Sequence, residues 1–468
     1  MSGPTTTSIR PEEILRDAEN LRRSLGPSFR DAVVEAIYAD AERIARRTVR
    51  RAGERYDGFD QWLDRVLTSP ITGLPIMGLG LALVFWVTIV GANYPSELIA
   101  TVLFWVEAQA SALFDMLGVP GWITGFLWHG VYRGLAWVVA VMLPPMAIFF
   151  PIFTLLEDLG FLPRFAFNMD RLFKKVGAHG KQALSMSMGF GCNAAGVVAT
   201  RIIDSPRERL IAILTNNFVP CNGRFPTLIM LALVFFAAEF PPAYASFVAA
   251  GAVVAVVVVG IVTTLVVSAL LSRTVLKGEA SVFTLELPPY RRPNVMQVLY
   301  TSFIDRTIFV LRRAVLMAAP AGGVIWLLSN LHLGGQSLAL WIADFLDPLG
   351  NAIGLDGVIL LAYIIAIPAN EIVVPTILMT YTNAGQMIEI SGLDELRALL
   401  VGQQGWTLLT AANLMLFSLL HNPCSTTIWT IWSETRSKKW TAMGALMPLG
   451  IAFLVTFVVA QGVRLLGS

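Results

Sequence analysis

Six stretches of this 468-residue chain contain no Asp, Glu, Lys or Arg: 66–96, 134–156, 240–272, 314–343, 398–433 and 440–463. About 20 predominantly apolar residues cross the hydrocarbon core of a bilayer as a helix, and every run is longer than that. Backbone in lipid has to satisfy its own hydrogen bonds, which a helix does within one segment. Two further stretches, 210–238 and 357–388, are of membrane length with one charge each, Arg224 and Glu371. The sequence therefore predicts an all-α polytopic membrane protein. Its 14% of charged residues, against about 25% in soluble domains, agrees.

The polar remainder orients the spans. Residues 1–65 hold 12 Arg, no Lys and 12 acids, in patterns such as EEILRDAENLRRSL (12–25) that read as a solvent-exposed helical segment. So polar an opening is not expected to be a secretory signal. The connection 157–181 carries five Lys or Arg, 272–313 seven and 434–439 three, whereas 92–132, 238–243 and 329–356 carry none. An excess of Lys and Arg marks the cytoplasmic side. Residues 1–65, 157–181, 272–313 and 434–439 are accordingly placed in the cytoplasm, and the expected location is the cell inner membrane. A net charge of only +2 leaves no large basic face for nucleic acid. The three cysteines all lie in apolar stretches, and an odd number argues against a disulfide framework.

In two places this orientation conflicts with a simple crossing. Residues 182–200 leave from the cytoplasmic side, yet Arg201, Arg207 and Arg209 follow at once. A re-entrant hairpin that returns to the same side removes the conflict. Segment 357–388, between flanks poor in Lys and Arg, reads as re-entrant from the outside. Aligning 169–193 with 346–370 pairs Asp170 with Asp347, Gly177 with Gly354, Gly180 with Gly357 and Asn193 with Asn370. Further on, Pro220-Cys221 matches Pro423-Cys424. With the charge bias, this predicts two inverted gate-type repeats, about 131–240 and 307–433, inside a transport domain over 66–468. Inverted repeats whose broken helices meet near the midplane are a transporter architecture.

Irregular backbone at membrane depth is tolerated where it is buried in protein or lines a cavity. Gly189, Gly191 and Gly196 surround Cys192 and Asn193, and Pro368 precedes Asn370 and Glu371. Pro220, Gly223 and Pro226 surround Cys221, and Pro423 precedes Cys424. A free cysteine is often a small buried hydrophobe, but here every cysteine neighbours a helix breaker. Cys192, Asn193, Cys221, Asn370, Glu371 and Cys424 are therefore the candidate lining of an ion path. Met188, with Met186 beside it, is a weaker candidate, since core methionine is usually filler. Thiolates suit transition metals while carboxylates and amides favour harder ions. Such a mixed set fits a borderline divalent metal such as iron(II), although the spacing alone is no metal signature.

An ionisable residue within a membrane segment is a functional candidate by default. For Glu371 the structural alternative is an ion pair with Arg224. His421 and Cys424, three apart on one helical face, raise a thiol–imidazole nucleophile. No orienting acid or oxyanion hole lies nearby, so no enzyme is expected. GAHGKQ (177–182) is no phosphate loop: that motif needs four residues between its glycines and Ser or Thr after Lys. Here there are two, then Gln182, and GxxxxGK[ST] occurs nowhere in the chain.

Several ordered stretches resemble the membrane half of the ferrous iron transport protein B family. They are DRVLTSPITGLPI (64–76), LLEDLGFLPRFAFNMDRLFKKVGAHGKQ (155–182), GFGCNAAGVVATR (189–201), RERLIAILTNNFVPCNGRFP (207–226), IPANEIVV (367–374) and HNPCSTTIWTIWSETRSKKW (421–440). The sequence departs from the family at Ala195 and Gly196, where the family has Pro and Ala, at Asn370, where it has Lys, and at Asn217. The resemblance implies a transporter that carries iron(II) into the cytoplasm past the candidate residues, with no stably bound cofactor. The family's N-terminal G domain has no counterpart here, and residues 1–65 resemble the end of its helical linker. This implies a split arrangement, in which a separate cytoplasmic GTPase docks on residues 1–65 and the connections 157–181 and 272–313. Expected partners are that GTPase and the lipid bilayer, with homo-oligomer formation left open. The alternatives are a gate-type carrier of an organic solute such as a nucleoside, and a membrane receptor or scaffold that anchors a G protein.

Overall fold

The computed structural model describes residues 16–17, 20–21, 29–48, 58–69, 71–238, 240–278, 294–388 and 392–466. It divides into two compact units, Met1–Leu63 with Ser281–Thr284, and Asp64–Ala280 with Leu285–Ser468. In the first, helix α1 (Phe29–Thr48) is charged and exposed. Arg46 pairs with Glu42 at 2.6 Å, and Arg43 with Asp40, across one turn of the helix. Most of EEILRDAENLRRSL, and residues 279–293 of the connection 272–313, lie outside the described residues.

Helix α2 (Gly58–Thr68) precedes α3 (Gly73–Met116), a 44-residue apolar helix. At ~1.5 Å per residue α3 is about twice as long as the ~30 Å hydrocarbon core. Helix α4 (Gly121–Asp158) returns against it. There follow α5 (Phe161–Lys175), α6 (Gln182–Gly191), α7 (Asn193–Ala199), α8 (Pro206–Thr215), α9 (Phe225–Ala237), α10 (Pro242–Arg273), α11 (Val295–Thr301) and α12 (Phe309–Asn330). A two-residue antiparallel ladder, β1 (His332–Leu333) with β2 (Gln336–Ser337), leads to α13 (Leu338–Ala352). The chain ends with α14 (Gly357–Ile365), α15 (Val373–Thr382), α16 (Leu393–Arg397), α17 (Leu408–Leu420), α18 (Ser425–Thr435) and α19 (Lys438–Leu466).

Among the described residues α3, α4, α10, α12 and α19 are long and apolar enough to cross a membrane unbroken. Helices α8 and α17, of 10 and 13 residues, reach about halfway through the core. Each is followed after a break by a second short helix, α9 and α18 respectively, so each pair together has the length of one interrupted crossing. The entering ends are capped: Ser205 accepts from the Glu208 amide at 3.5 Å, and Thr407 from Thr410 at 3.3 Å. These caps satisfy amides that a helix start leaves without partners.

The internal repeat is borne out in backbone detail. Helices α5 and α13 start 177 residues apart and end 177 residues apart. Asp170 Oδ1 accepts from the Gly180 amide at 3.1 Å, and Asp347 Oδ1 from the Gly357 amide at 2.9 Å. Gly177 and Gly354 sit at φ 73° and 74°, a left-handed turn that glycine adopts without strain. Cys192, at φ −152° and ψ 123°, corresponds to Ala369, at φ −154° and ψ 118°.

Both short hairpins are re-entrant, as the charge pattern predicts. Lys181, at the start of α6, pairs with Asp204, beyond the end of α7, at 2.9 Å. The chain thus comes back to the side it left. In the second repeat Asp356, which caps α14, accepts a hydrogen bond from the Tyr381 hydroxyl near the end of α15. Among the described residues three crossings separate these two mouths: α8 with α9, then α10, then α12. An odd number puts the mouths on opposite sides of the membrane. The repeats are inverted, and both hairpin tips point to the middle.

Candidate functional site

The two tips and the breaks of the two interrupted crossings enclose a cavity of about 30 Å³. Its wall includes Cys192, Asn193, Cys221, Asn370, Glu371 and Cys424, all six of the residues selected from sequence. Met142 and Met146 of α4, one helical turn apart, add two thioethers. Room for a water takes roughly 10–15 Å³ on this measure, so the space suits one or two waters or an ion without its full hydration shell.

The first tip is built around an asparagine. A side chain at Gly189 or Gly196 would begin 2.9 Å or 2.6 Å from the Asn216 amide, which is wedged between α6 and α7. Asn216 Nδ2 donates to the Asn193 carbonyl at 3.0 Å. These glycines therefore serve close approach more than helix breaking. Cys192 is extended, buried, and precedes α7. The Asn193 amide faces the Gly189 and Val219 carbonyls at 3.0 and 3.2 Å, and its two N–H groups meet them only when the nitrogen is turned that way. Asn193 is thus a tie between the hairpin and the loop that carries Cys221.

That loop and its counterpart dock on the tips in the same manner. The Asn222 amide donates to the Gly191 carbonyl at 3.3 Å, and the Ser425 amide to the Ile367 carbonyl at 2.8 Å. Cys221 and Cys424 stand next to these contacts and are half-buried. Asn370 and Glu371 form a 3₁₀ turn at the second tip. The Glu371 carboxylate lies against Gly223, where a Cβ would fall 2.1 Å from Oε1. Glycine at 223 is what lets the carboxylate lie there.

Arg224 does not form the structural alternative considered for Glu371. Among the described residues it forms no ion pair with Glu371. Its Nη1 donates to the carbonyls of Asn217 at 2.9 Å and Leu419 at 2.8 Å. Its Nη2 donates to Asn217 Oδ1 and the His421 carbonyl at 3.2 Å, and to the Asn422 carbonyl at 3.4 Å. A guanidinium fork of the first repeat thus collects carbonyls from the last turn of α17 and the break after it, in the second repeat. Asn217 joins in, donating to the His421 carbonyl at 2.7 Å. Neither role was legible in the sequence.

Nor is a thiol–imidazole pair assembled. His421 Nδ1 lies 2.9 Å from the Ser418 carbonyl, and Nε2 lies 3.3 Å from Asn370 Oδ1. Cys424 Sγ instead meets Thr427 Oγ1 at 3.3 Å. Met188 packs in an apolar cluster with Phe149 and Phe150, and Met186 lines a separate apolar groove. Neither is part of the cavity wall. Among the described residues no three His, Cys, Asp or Glu side chains converge as a metal cage. The three thiols share one cavity wall.

From the cavity α7 and α18 run side by side to the mouth marked by Lys181. There Glu434, almost fully buried, accepts from Arg201 at 2.6 and 2.9 Å and from Arg209 at 2.9 Å. This clasp joins the two repeats below the cavity.

The chain matches the Gate family, described as nucleoside recognition, over residues 139–236 and again over 311–438. It matches the family described as the ferrous iron transport protein B C terminus over 253–305. The two Gate matches contain the two hairpins. Among curated proteins, the Fe(2+) transporter FeoB of Staphylococcus aureus (strain COL) is 30% identical, covering 93% of this chain and 66% of that protein. The Fe(2+) transporter FeoB of Synechocystis is 30% identical over 86% of this chain and 63% of its own length. In Porphyromonas gingivalis a protein named as a fusion of Fe(2+) transport protein A with Fe(2+) transporter FeoB is 25% identical over 95% of this chain and 55% of its own. The chain thus spans about two thirds or less of the curated relatives it matches. No solved structure matches.

Proposed function

The chain belongs to the ferrous iron transport protein B family, and from that premise we propose that it carries iron(II) across the membrane through the cavity at the hairpin tips. The supporting observation is the composition of that cavity: three thiols, two thioethers, a carboxylate and three amides around about 30 Å³. Soft sulfur donors select transition metals over magnesium and calcium. A path also has to hold its ion weakly enough to release it, which scattered ligands do better than a closed cage. The size argues against a nucleoside as cargo, since pockets for such organic ligands run to about 300–1,000 Å³.

In this reading the mouth with Lys181, Arg201 and Arg209 is cytoplasmic, by the bias of Lys and Arg toward that side. Transport is then inward, across the cell inner membrane, and the N-terminus is cytoplasmic. In the same reading the nucleotide step falls to a cytoplasmic GTPase, whose GxxxxGK[ST] motif does not occur within these 468 residues. Cys192, Cys221, Cys424, Asn370 and Glu371 hand the ion through the midplane, and Asn193 holds the tip in shape.

The test is anaerobic iron(II) uptake into proteoliposomes containing this chain, with and without added G protein and GTP. The triple variant Cys192→Ser/Cys221→Ser/Cys424→Ser is expected to insert normally and to lose uptake. Wild-type uptake by that variant would overturn the thiol path. GTP hydrolysis by the purified chain alone would overturn the separate-GTPase reading.

A further inference from the structure

A lateral pocket of about 210 Å³ lies between α12 and α18, and Thr426 belongs both to its wall and to that of the central cavity. Arg312, Arg313, Leu316 and Met317 line it from α12, and Thr426 and Trp429 from α18. Met317 and Trp429 also line a second pocket of about 290 Å³, which continues along α18 past Ile428 and Trp432. Leu316 is 62% exposed, Trp429 50% and Trp432 42%, so this surface faces outward from the bundle. Arg313 Nη1 donates to Thr430 Oγ1 at 3.3 Å, which fixes the guanidinium beside α18. Among the described residues Arg312 has no carboxylate within ion-pair distance.

Two adjacent guanidiniums exclude a metal cation from this pocket and call for an anion. A guanidinium fork matches phosphate oxygens two at a time. The floor, by contrast, is apolar and elongated, with tryptophans of the kind that sit at headgroup level. A ligand that satisfies both halves needs a phosphate at one end and a long hydrocarbon chain at the other. Basic pockets between membrane helices bind anionic headgroups for this reason.

We propose that Arg312 and Arg313 hold the phosphate of an anionic phospholipid whose acyl chain runs over Met317 and Trp429 into the second pocket, against α18. The occupied groove braces α18, which follows Cys424 and carries Glu434 of the clasp. This site does not depend on which ion the cavity passes.

The test is native mass spectrometry of the full chain in detergent, titrated with phosphatidylglycerol or phosphatidylcholine. Phosphatidylglycerol should bind at least ten-fold more tightly. Arg312→Gln/Arg313→Gln should remove that preference, and Arg312→Lys/Arg313→Lys should keep part of it. Met317→Trp, which fills the chain groove and leaves both arginines, should weaken phosphatidylglycerol binding as well, and it serves if the double Gln variant does not fold. Equal binding of the two lipids, or unchanged phosphatidylglycerol binding in either the double Gln or the Trp variant, would overturn the proposal. So would displacement of phosphatidylglycerol by millimolar inorganic phosphate, which would make this a site for the free anion.

Discussion

Replacing Arg224 by Met keeps most of the side-chain volume and removes every donor that the guanidinium offers. Two of its hydrogen bonds are short, 2.9 Å to the Asn217 carbonyl and 2.8 Å to the Leu419 carbonyl. The His421 carbonyl keeps a second donor in Asn217 Nδ2 at 2.7 Å. A buried polar atom left without a partner costs about 1–3 kcal/mol. Two orphaned carbonyls therefore cost about 2–6 kcal/mol, offset in part because a buried charge no longer needs desolvating. After that offset a net loss of about 1–4 kcal/mol is expected. Arg224→Lys, a point charge that reaches fewer of these oxygens than the fork does, should fall in between. The assay is thermal unfolding of the detergent-solubilised protein, followed by tryptophan fluorescence. Adding Glu371→Gln to Arg224→Met should restore nothing, because the lost partners are carbonyl oxygens. A wild-type midpoint for Arg224→Met, or recovery in the double variant, would refute the carbonyl network and revive the ion pair.

Glu371→Gln keeps shape and removes charge, so iron(II) uptake should fall at least ten-fold while the unfolding midpoint stays near wild type; retained uptake would take the carboxylate out of the path. Gly223→Ala puts a methyl group 2.1 Å from Glu371 Oε1 and should displace the carboxylate, giving the uptake defect of Glu371→Gln without altering that residue. Equal uptake by Gly223→Ala and wild type would show that the position of Glu371 does not matter. Glu434→Gln leaves Arg201 and Arg209 with a neutral partner, and the mouth beneath α7 and α18 should loosen. Amide hydrogen exchange at 196–202 is expected to rise several-fold, and unchanged protection would mean that the clasp holds nothing closed.

The class of fold was fixed in one dimension, because the transfer of an apolar run from water to lipid depends on its length and charge and hardly on its neighbours. The bias of Lys and Arg is equally local, and it sufficed to make 182–200 and 357–388 re-entrant and the repeats inverted. The breakers beside Cys192, Cys221, Asn370 and Cys424 marked where backbone leaves the helix at depth, so the cavity lining was legible too. What depended on contacts between distant segments was not. Glu371 was the one partner that the sequence offered Arg224, the two being the lone charges of their segments, yet the partners of Arg224 include carbonyls at 419, 421 and 422 that any residue type would present. No pattern in the sequence can mark a backbone oxygen as unpaired. Met142 and Met146 resemble any other α4 methionine until the tips arrive beside them. Gly189, Gly196 and Gly223 read as helix breakers, whereas packing decided that they make room for Asn216 and Glu371. His421 and Cys424 share a spacing that suggests chemistry, but the break at Pro423 turns one toward Asn370 and the other toward Thr427. Hydrophobic length and charge sets the path of the chain, while the partners of each polar group follow from how segments some 200 residues apart close-pack.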